Sequence, residues 1–393
     1  MTVTFLHTGD EHIDSDYHGT INPKTGRNTA WESNYRTVRH IAEHAAERGV
    51  NAVVSAGDEF KNGRPSQEAM LMLADAYTPL AEAGIPLLLM DGNHDRTLVP
   101  AGHRTAILVL AEILRARGGT VVTSAEPELV EVGGIQVATL PWLNRNAVLA
   151  GETVGAAEGD RLVADWALRK LEELASSADP SMPLIMSGHV TVAKLTAEET
   201  TGTRRGSEME MATHVFSEPI LDVTRLEQLP YQYGALGHIH TAQNIGTGIY
   251  RYAGSLNRFT FTDEPDIKGA NLVTLDGRGG FTADRIDTPA RVLRTIDLAE
   301  TDTIEVEEGA LVRFLLPEGQ ADVDKEVRAA VAAHGARVVD TKPRPRQRKQ
   351  QTATVKALPK STSAADALRA WAKDNATVEV DTLVAAAEKL NAA

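Results

Sequence analysis

Short apolar segments alternate with longer amphipathic segments through the first third of the chain. The short segments, such as VTFLHT and IPLLLM, have the continuous apolar character of strands that are buried on both faces. The longer segments 31–48, 66–84 and 103–119 carry apolar residues at every third or fourth position and end at or beside glycines, which is typical of helices, and Ser66 is a plausible N-cap of the second one. This β-α-β-α-β order predicts an α/β fold with parallel strand pairs.

The same patterns continue through the rest of the chain. A helix is predicted at 160–176 between strand segments, and the polar, Gly- and Thr-rich segment 193–215 has the length of a functional loop. Beyond a boundary near 286–291, the order strand, strand, helix, strand predicts a second, smaller α/β unit. We therefore predict four regions, namely a main domain of residues 1–287, a small α/β domain of 288–341, a basic linker of 342–362 and a helical segment of 363–393.

Composition and charge restrict the chemistry that the chain can perform. The 393 residues include no cysteine, which excludes disulfides, thiolate metal sites and a cysteine nucleophile. The formal net charge of −14 argues against a nucleic-acid partner, although only weakly, because local patches decide such binding. No apolar run is long enough to span a membrane, and the first residues lack the pattern of a signal peptide, so we expect a cytoplasmic protein without a membrane partner.

Polar residues follow five of the predicted strands, in the segments GDEH, GDEF, GNHD, SGH and GHIH. Sites in open α/β folds form beyond the carboxyl ends of strands, so these side chains are expected to converge. Carboxylate, amide and imidazole ligands without sulfur suit manganese, iron or zinc, and two such ions about 3.5–4 Å apart would clamp a phosphoryl group. The candidate ligands are Asp10, His12, Asp58, Asn93, His189, His238 and His240.

Each of these segments has an alternative explanation when it is taken alone. Asp-x-His occurs by chance, a lone histidine after a strand is more often a hydrogen-bonded core residue, and GNHD favours a turn. His40 and His44 have the spacing of a helical metal site, but a solvated helix face is the better interpretation. His7 is interpreted either as a packed residue or as one that supports a metal ligand, and Trp142 is interpreted as a core residue. The metal-site prediction therefore depends on the order and strand-end placement of the whole set.

The ordered set D-x-H, GD, GNH, GH and GHxH resembles the calcineurin-like metallophosphoesterases. Four segments more specifically resemble the SbcD-type DNA repair nucleases, namely FLHTGDEHID, GDEFKNGRPS, DGNHD and YGALGHIHTAQNI followed by YAGSLNRFTFTDE. The resemblance covers residues 1 to about 285 in its motifs and the remainder in pattern only. It implies an α/β fold of the calcineurin-like type, a β-sandwich flanked by helices, with a small α/β capping domain and a short C-terminal helical segment.

The resemblance also implies a role for each site residue. One ion, usually manganese, would be held by Asp10, His12, Asp58 and His240, and a second by Asp58, Asn93, His189 and His238, so that Asp58 bridges. His94 would act on the phosphate as an acid or transition-state stabiliser, and Asp95 would orient His94. Lys61 occupies a position where the family often has histidine, which puts the balance of exonuclease and endonuclease activity in question. Lys61, Arg64 and Arg258 are candidate contacts to DNA phosphate, and a structural role is equally open for both arginines.

The function that these expectations describe is a manganese-dependent exo- and endonuclease that acts on DNA ends or hairpins in double-strand-break processing. The resemblance implies an SbcC-type, SMC-like ATPase as partner, docked on the C-terminal helices, and a homodimer. The alternative is a phosphodiesterase or pyrophosphatase of the same fold that acts on a small molecule. A non-catalytic scaffold is a third hypothesis, which the complete ligand set disfavours. The basic run 342–349 is compatible with a solvated linker and with a DNA contact.

Overall fold

The first half of the chain builds a six-stranded sheet whose central strands are parallel. The computed structural model describes residues 2–99, 103–150, 154–195, 200–201, 218–300 and 304–344. The strand order is β15-β14-β1-β2-β3-β4, with parallel pairing from β1 to β4, as predicted, and antiparallel pairing of β14 and β15. The strands are Val3–Thr8 (β1), Ala52–Ser55 (β2), Leu87–Met90 (β3), Val121–Ser124 (β4), Gly269–Leu275 (β14) and Phe281–Asp287 (β15).

A second six-stranded sheet has the order β12-β13-β11-β7-β6-β5. Its central strands β6, β7, β11 and β13 are also parallel. The strands are Leu129–Val132 (β5), Ile135–Leu140 (β6), Leu184–His189 (β7), Gly234–Gly237 (β11), Gln243–Ile245 (β12) and Tyr250–Tyr252 (β13). A small sheet beside it contains Thr191–Leu195 (β8), Thr200–Thr201 (β9) and Ile220–Asp222 (β10).

The two large sheets pack against each other through one apolar layer, to which Phe5 and Val54 contribute from the first sheet and Val137 and Ile185 from the second. Helices cover the outer faces, which makes the sandwich flanked by helices that the resemblance implied. Strands buried on both faces explain the continuous apolar runs of the sequence. The covering helices are Thr29–Arg48 (α1), Gln67–Ala76 (α2), Thr78–Glu82 (α3) and Ala106–Ala116 (α5) on the first sheet, and Ala156–Ser176 (α7) on the second.

The prediction of a single helix over 66–84 is wrong, because the segment forms two helices. Ser66 caps α2, as predicted, by accepting a hydrogen bond from the backbone N–H of Ala69 at 3.1 Å. The helix stops at Tyr77, and α3 begins one residue later with Pro79 in its first turn. Proline has no N–H to continue a helical ladder, so it is favoured in a first turn and breaks a helix interior. The shorter helices are Asn93–Arg96 (α4), Arg145–Val148 (α6) and Val223–Leu226 (α8), with a 3-10 turn at Phe261–Asp263.

The residues after β15 form the small α/β unit that the sequence predicts. Strands Leu293–Asp297 (β16), Leu311–Leu316 (β17) and Arg337–Pro343 (β18) are parallel, and the helix Lys325–Ala333 (α9) packs on them through a separate apolar cluster. The unit contacts the sandwich where the guanidinium of Arg313 lies 4.0 Å from the ring centroid of Phe261. The predicted region boundaries remain predictions, and the predicted linker and helical segment beyond Arg344 lie outside the described residues. Within the described part of the chain, no helix is long and apolar enough to cross a membrane.

His7 is a packed histidine, as predicted. Its side chain is fully buried between the two sheets, where Nδ1 lies 2.9 Å from the hydroxyl of Tyr233 and Nε2 lies 3.2 Å from the carbonyl oxygen of Leu236. A carbonyl only accepts, so Nε2 carries the proton and Nδ1 accepts from Tyr233. The pKa of His7 is lowered to about 3, chiefly by burial; the hydrogen bond to Leu236 opposes the shift, and the charges of Arg285 and Arg251 add to it.

We predict that His7 makes the folded protein acid-sensitive. A histidine that stays neutral in the folded state but takes up a proton near pH 6.5 when unfolded binds fewer protons folded, so stability is lost as the pH falls from 6.5 towards 3. The loss attributable to this group is about 2 kcal/mol at pH 5. Urea unfolding of the wild type and His7→Gln at pH 7.5 and pH 5 measures it, with the exposed His334→Gln as control. Equal pH dependence in all three proteins would contradict the prediction.

Candidate metal centre

The polar segments after β1 and β2 are held side by side by backbone hydrogen bonds that continue beyond the strands. The N–H groups of Asp10, His12 and Ile13 donate to the carbonyl oxygens of Gly57, Asp58 and Glu59 at 2.9, 3.0 and 3.0 Å. Because β1 and β2 are parallel, both segments leave the sheet at the same edge. The side chains of the GDEH and GDEF motifs are therefore brought together by the register of the sheet.

The second sheet contributes its histidines at the same edge. His189 ends β7, and His238 follows β11 directly. The Nδ1 atom of His189 lies 2.7 Å from the carbonyl oxygen of Ala56, which follows β2 in the first sheet. The face-to-face packing of the sheets thus completes the site with side chains that are far apart along the chain.

All seven candidate ligands meet in one cluster. The potential ligand atoms form three groups of three residues, and the atoms within each group lie within 4.8 Å of one another. Asp58 belongs to two of these groups. Its Oδ2 is 3.6 Å from His12 Nε2 and 3.3 Å from His189 Nε2. Asn93 Oδ1 is 2.8 Å from His189 Nε2 and 3.1 Å from His238 Nδ1. Six of the seven candidate ligands are fully buried, and Asn93 is half-buried. The first of the three groups contains Asp10, His12 and His240, the second His12, Asp58 and His94, and the third Asp10, Asp58 and His189.

The backbone at four of the ligands adopts a conformation that side chains disfavour. The φ angles of Asp10, His12, Asp58 and His238 are 57°, 39°, 63° and 88°. Such angles cost roughly 1–3 kcal/mol each in residues with a Cβ, and they persist where the surrounding structure imposes them, often at functional sites. The strain in these four residues supports the interpretation of the cluster as a functional site.

Each of the two aspartates uses one oxygen for the protein and directs the other into the cluster. Asp10 Oδ1 accepts the backbone N–H of His238 at 2.9 Å, and Asp58 Oδ1 accepts that of His94 at 2.9 Å. Asp10 Oδ2 is buried and accepts no hydrogen bond from any described residue. A buried carboxylate oxygen without a donor is costly unless a cation compensates it.

The histidines are oriented in the same manner. His12 Nδ1 lies 3.1 Å from the carbonyl oxygen of Phe60, and His189 Nδ1 contacts that of Ala56. An imidazole that donates from one nitrogen presents the lone pair of the other, so both Nε2 atoms are directed towards Asp58. Imidazole nitrogens and carboxylate or amide oxygens that converge as acceptors repel one another unless a cation lies between them. The residues present therefore fit divalent metal ions.

The pKa values of the site are shifted by burial and by the close approach of these charged groups. Burial raises the pKa of Asp58, but the charges of His189, His94 and His12 outweigh it and hold the net pKa well below the usual range. Burial raises the pKa of Asp10 to about 7, with His189 opposing and Asp58 adding to the shift. Burial lowers the pKa of His189, but the charge of Asp58 raises it to a net value of about 9. Burial, followed by His12 and Lys268, lowers the pKa of His240. A divalent ion would favour the ionised carboxylates and neutral imidazoles together.

Two glycines are needed for the close approach of these segments. A Cβ at Gly92 would collide with Oδ1 of Asp58. Gly57 has a φ of 96°, and a Cβ there would lie 2.7 Å from Nδ1 of His189. Neither clash can be relieved without moving a candidate ligand, which explains glycine at both positions.

His94 lies at the edge of the cluster, in contact with His12, and has a defined tautomer. Its Nδ1 is 2.9 Å from the carbonyl oxygen of Lys61, so Nδ1 carries the proton and Nε2 is the nitrogen that can exchange one with a substrate. Its ring centroid is 4.8 Å from that of His12. This position supports the predicted role of His94 on the phosphate, which remains a prediction.

Asp95 has different partners from those expected. Its Oδ2 accepts the backbone N–H groups of Asp58 and Gly92 at 2.9 and 3.0 Å, and its Oδ1 accepts that of Phe60 at 3.1 Å. The acceptor that orients His94 is the Lys61 carbonyl, so the expectation that Asp95 orients His94 is corrected. The carboxylate of Asp95 instead fixes the backbone that carries Asp58. The catalytic role of Asp95 remains a prediction, and it would be exerted through the position of Asp58.

The three residues predicted to contact DNA phosphate differ in how exposed their side chains are to a ligand. Lys61 forms an ion pair of 2.5 Å with Asp16, and its side chain is about one third exposed, while Arg64 is exposed. The guanidinium of Arg258 is half-buried and donates to the carbonyl oxygens of Asp266 and Arg291 at 2.7–3.0 Å. These bonds favour the structural role for Arg258, whereas the DNA contacts of Lys61 and Arg64 remain predictions.

The sequence analysis missed Glu218. Its carboxylate is buried, with Oε2 3.0 Å from His238 Nε2 and Oε1 accepting from the hydroxyl of Thr191 at 2.7 Å. An ionised carboxylate only accepts, so it assigns the proton to Nε2 and directs Nδ1 of His238 towards Asn93. The residue closely follows the 193–215 segment that was predicted as a functional loop, but nothing in its neighbouring sequence distinguishes it.

Comparison with known proteins gives consistent matches. The family model for the calcineurin-like phosphoesterase matches residues 3–242. The chain is 29% identical to the SbcD component of the nuclease SbcCD from Rhodobacter capsulatus over 334 residues, which cover 80% of this chain and 76% of that protein. It is 24% identical to the proteins of the same name from Staphylococcus epidermidis, over 76% of this chain and 72% of that protein, and from Escherichia coli K12, over 72% and 68%.

We predict that the Asp58→Asn variant loses metal binding. The amide would remove the negative charge that the two expected ions share, so binding of two Mn²⁺ ions should fall to one ion or none in titration calorimetry. The Asp75→Asn variant is the control, because Asp75 is a surface residue paired with Arg117. Unchanged stoichiometry and affinity in Asp58→Asn would contradict the bridging assignment.

We also predict that Glu218 positions His238 for the metal. The Glu218→Ala variant should bind Mn²⁺ about 10- to 100-fold more weakly, since the imidazole loses the acceptor that sets its tautomer. Glu218→Gln keeps an acceptor oxygen and should retain most of the affinity. Nitrogen-15 NMR of the histidine rings should show a mixed tautomer for His238 only in the alanine variant. An unaltered tautomer with weakened binding would indicate a general loss of structure.

Proposed function

We propose that this chain, which belongs to the calcineurin-like phosphoesterase family, is a manganese-dependent nuclease that hydrolyses phosphodiester bonds at DNA ends or hairpins. As a member of the family it is a metal-dependent phosphoester hydrolase. The observation that carries the proposal is the buried cluster in which Asp58 lies between the ligands expected for two ions. The SbcD relatives, which are named as nucleases and match most of the chain, support a nucleic-acid substrate.

The residues of the chain support hydrolysis in distinct ways. Divalent ions bound here would supply Lewis-acid charge for the phosphoryl oxygens and lower the pKa of a water ligand. Asp10 and Asp58 hold their inward oxygens in place through backbone donors on their other oxygens. His94, anchored through Nδ1 to the carbonyl of Lys61, presents Nε2 to a phosphate oxygen and can transfer a proton there. The exposed Arg64 and the partly exposed Lys61 near His94 would attract the DNA backbone.

The proposal includes partners that the sequence pattern suggests. An SbcC-type, SMC-like ATPase would bind the predicted helical segment 363–393, and two copies of the chain would form a homodimer. The three relatives named as components of SbcCD support the ATPase partner. The bacterial cytoplasm is the compartment in which such an assembly would meet DNA. The basic run 342–349 would strengthen DNA binding in a salt-dependent manner.

A small-molecule phosphodiesterase is the second candidate. The formal net charge of −14 favours it, since a polyanionic substrate is repelled by an acidic protein at long range. The match of nuclease-named relatives over 72–80% of the chain favours DNA instead. The same metal cluster would serve either substrate, so only the substrate itself distinguishes them.

We predict metal-dependent cleavage of DNA that requires His94. With Mn²⁺, the purified protein should degrade end-labelled duplex or hairpin DNA, and His94→Ala should reduce the rate by about 10²–10⁴, as is typical when an acid or base is removed. The exposed His334→Ala variant should cleave at the wild-type rate. A cyclic dinucleotide and a nucleotide pyrophosphate are assayed in parallel.

Hydrolysis of a small molecule with intact DNA would replace the nuclease proposal by the second candidate. If neither is cleaved, the ATPase partner is added. Intact DNA in the presence of that partner would contradict the nuclease proposal. Equal loss of activity in His94→Ala and His334→Ala would contradict the role of His94.

A further inference from the structure

A cavity of about 470 Å³ opens directly beside the metal centre. Asn93 is a candidate metal ligand and also lines the cavity wall, so a phosphate held at the centre would place its neighbouring groups at the entrance. The volume falls within the roughly 300–1,000 Å³ of small-molecule sites. Hydrolysis at the metal centre by itself requires no role for this cavity.

Trp142 lines the cavity beside the candidate metal centre. Its ring centroid is 5.2 Å from that of His238, at an interplanar angle of 40°, and 6.3 Å from that of His189, at 74°. Its backbone N–H donates to the carbonyl oxygen of Asp91 at 3.0 Å, which anchors the residue to the segment after β3. The sequence analysis interpreted Trp142 as core, but its side chain is only half-buried and faces a cavity. One side of the indole is supported by candidate ligands, and the ring also borders open space.

The two arginines that line the cavity are both paired with carboxylates. Arg96 lies 3.3 Å from Asp91 and 3.6 Å from Glu126. Arg145 lies 3.1 Å from Asp160 and donates to the carbonyl oxygens of Gly155 and Ala156. Both guanidinium charges are therefore balanced by carboxylates, so the cavity does not favour a second phosphate.

The remaining lining fits an uncharged planar group. Val99, Leu143 and Pro219 contribute apolar surface. Asn144 also lines the cavity; its side-chain oxygen accepts the backbone N–H of Ala147 at 3.2 Å, so its amide NH₂ is the group that can donate to a ligand. Aromatic side chains stack on any nucleobase, because every base has a π face, and an amide NH₂ can donate to the acceptors on base edges. An aromatic side chain, apolar neighbours and balanced charge beside a phosphate-binding centre are features that suit a nucleobase.

We propose that this cavity binds the nucleobase of the nucleotide whose phosphate is hydrolysed, with the base stacked on Trp142. The inference rests on the proposed function in that it takes the substrate to be a nucleotide ester. It adds a subsite that positions the scissile phosphate through the attached base. Stacking on Trp142 fixes the base independently of its identity, so the subsite favours nucleotides over other phosphodiesters without selecting a sequence.

Two chromogenic diesters with the same leaving group test the proposal. The p-nitrophenyl ester of thymidine 5′-monophosphate carries a base, and methyl p-nitrophenyl phosphate does not. The wild type with Mn²⁺ should prefer the thymidine ester in kcat/KM, and Trp142→Ala should reduce that preference about 10- to 100-fold through a higher KM, as is typical when a stacking partner is lost. Trp142→Phe keeps an aromatic ring and should retain most of the preference.

Fluorescence provides a measurement that does not require turnover. The chain has four tryptophans, so replacing Trp31, Trp166 and Trp371 by phenylalanine leaves Trp142 as the single indole. Thymidine 5′-monophosphate should quench this signal with saturation, whereas inorganic phosphate should not. Quenching by both ligands alike would contradict stacking.

The outcomes separate this proposal from the nuclease function. If Trp142→Ala slows both esters equally, Trp142 merely supports His238, and the base site is wrong even though DNA is cleaved. If the wild type shows no preference for the thymidine ester, the base site is also wrong. If the wild type cleaves no DNA but Trp142→Ala loses the preference for the thymidine ester, the nuclease function fails and the base site remains.

Discussion

The site depends on the backbone hydrogen bonds that join the segments after β1 and β2. The bonds from Asp10, His12 and Ile13 to the GDEF segment extend the parallel ladder beyond the sheet, and they hold residues with positive φ in place. Asp95 reinforces this arrangement, because its buried carboxylate accepts backbone N–H groups of Asp58, Phe60 and Gly92. The strain at the ligands is thus compensated by hydrogen bonds that form only when both segments are folded.

The same interactions determine the chemistry of the cluster. Backbone donors occupy one oxygen of Asp10 and one of Asp58, and backbone carbonyls occupy one nitrogen of His12 and of His189. The remaining lone pairs are directed inward and repel one another. Burial raises the pKa of Asp10 to about 7, whereas the charge of Asp58 outweighs burial and raises the pKa of His189 to about 9. The protein therefore holds an arrangement that a divalent cation stabilises, and this preorganisation favours metal-dependent hydrolysis over simple acid–base chemistry.

Much of the fold could be predicted from local patterns. Strand and helix positions followed apolar periodicity, and Ser66 and Gly49 marked helix ends as expected. The break at Tyr77 required attention to Pro79, whose missing N–H outweighs the helical periodicity around it. The division into two sheets could not be derived from periodicity, since alternating strands and helices look the same along the chain whichever sheet receives the strand. That division followed only from the resemblance.

The sequence by itself determined the types and order of the candidate ligands from Asp10 to His240, because strand ends followed by Asp, Asn or His are visible as short motifs. Only the tertiary structure decided the partner of each side chain. His94 is oriented by a carbonyl of Lys61, Asp95 supports the backbone of a neighbouring motif, and Glu218 orients His238. Trp142 borders a cavity where its apolar neighbours predicted core. The physical reason is that hydrogen-bond partners and cavities arise from packing between segments far apart along the chain, whereas motifs record only what lies next to each residue.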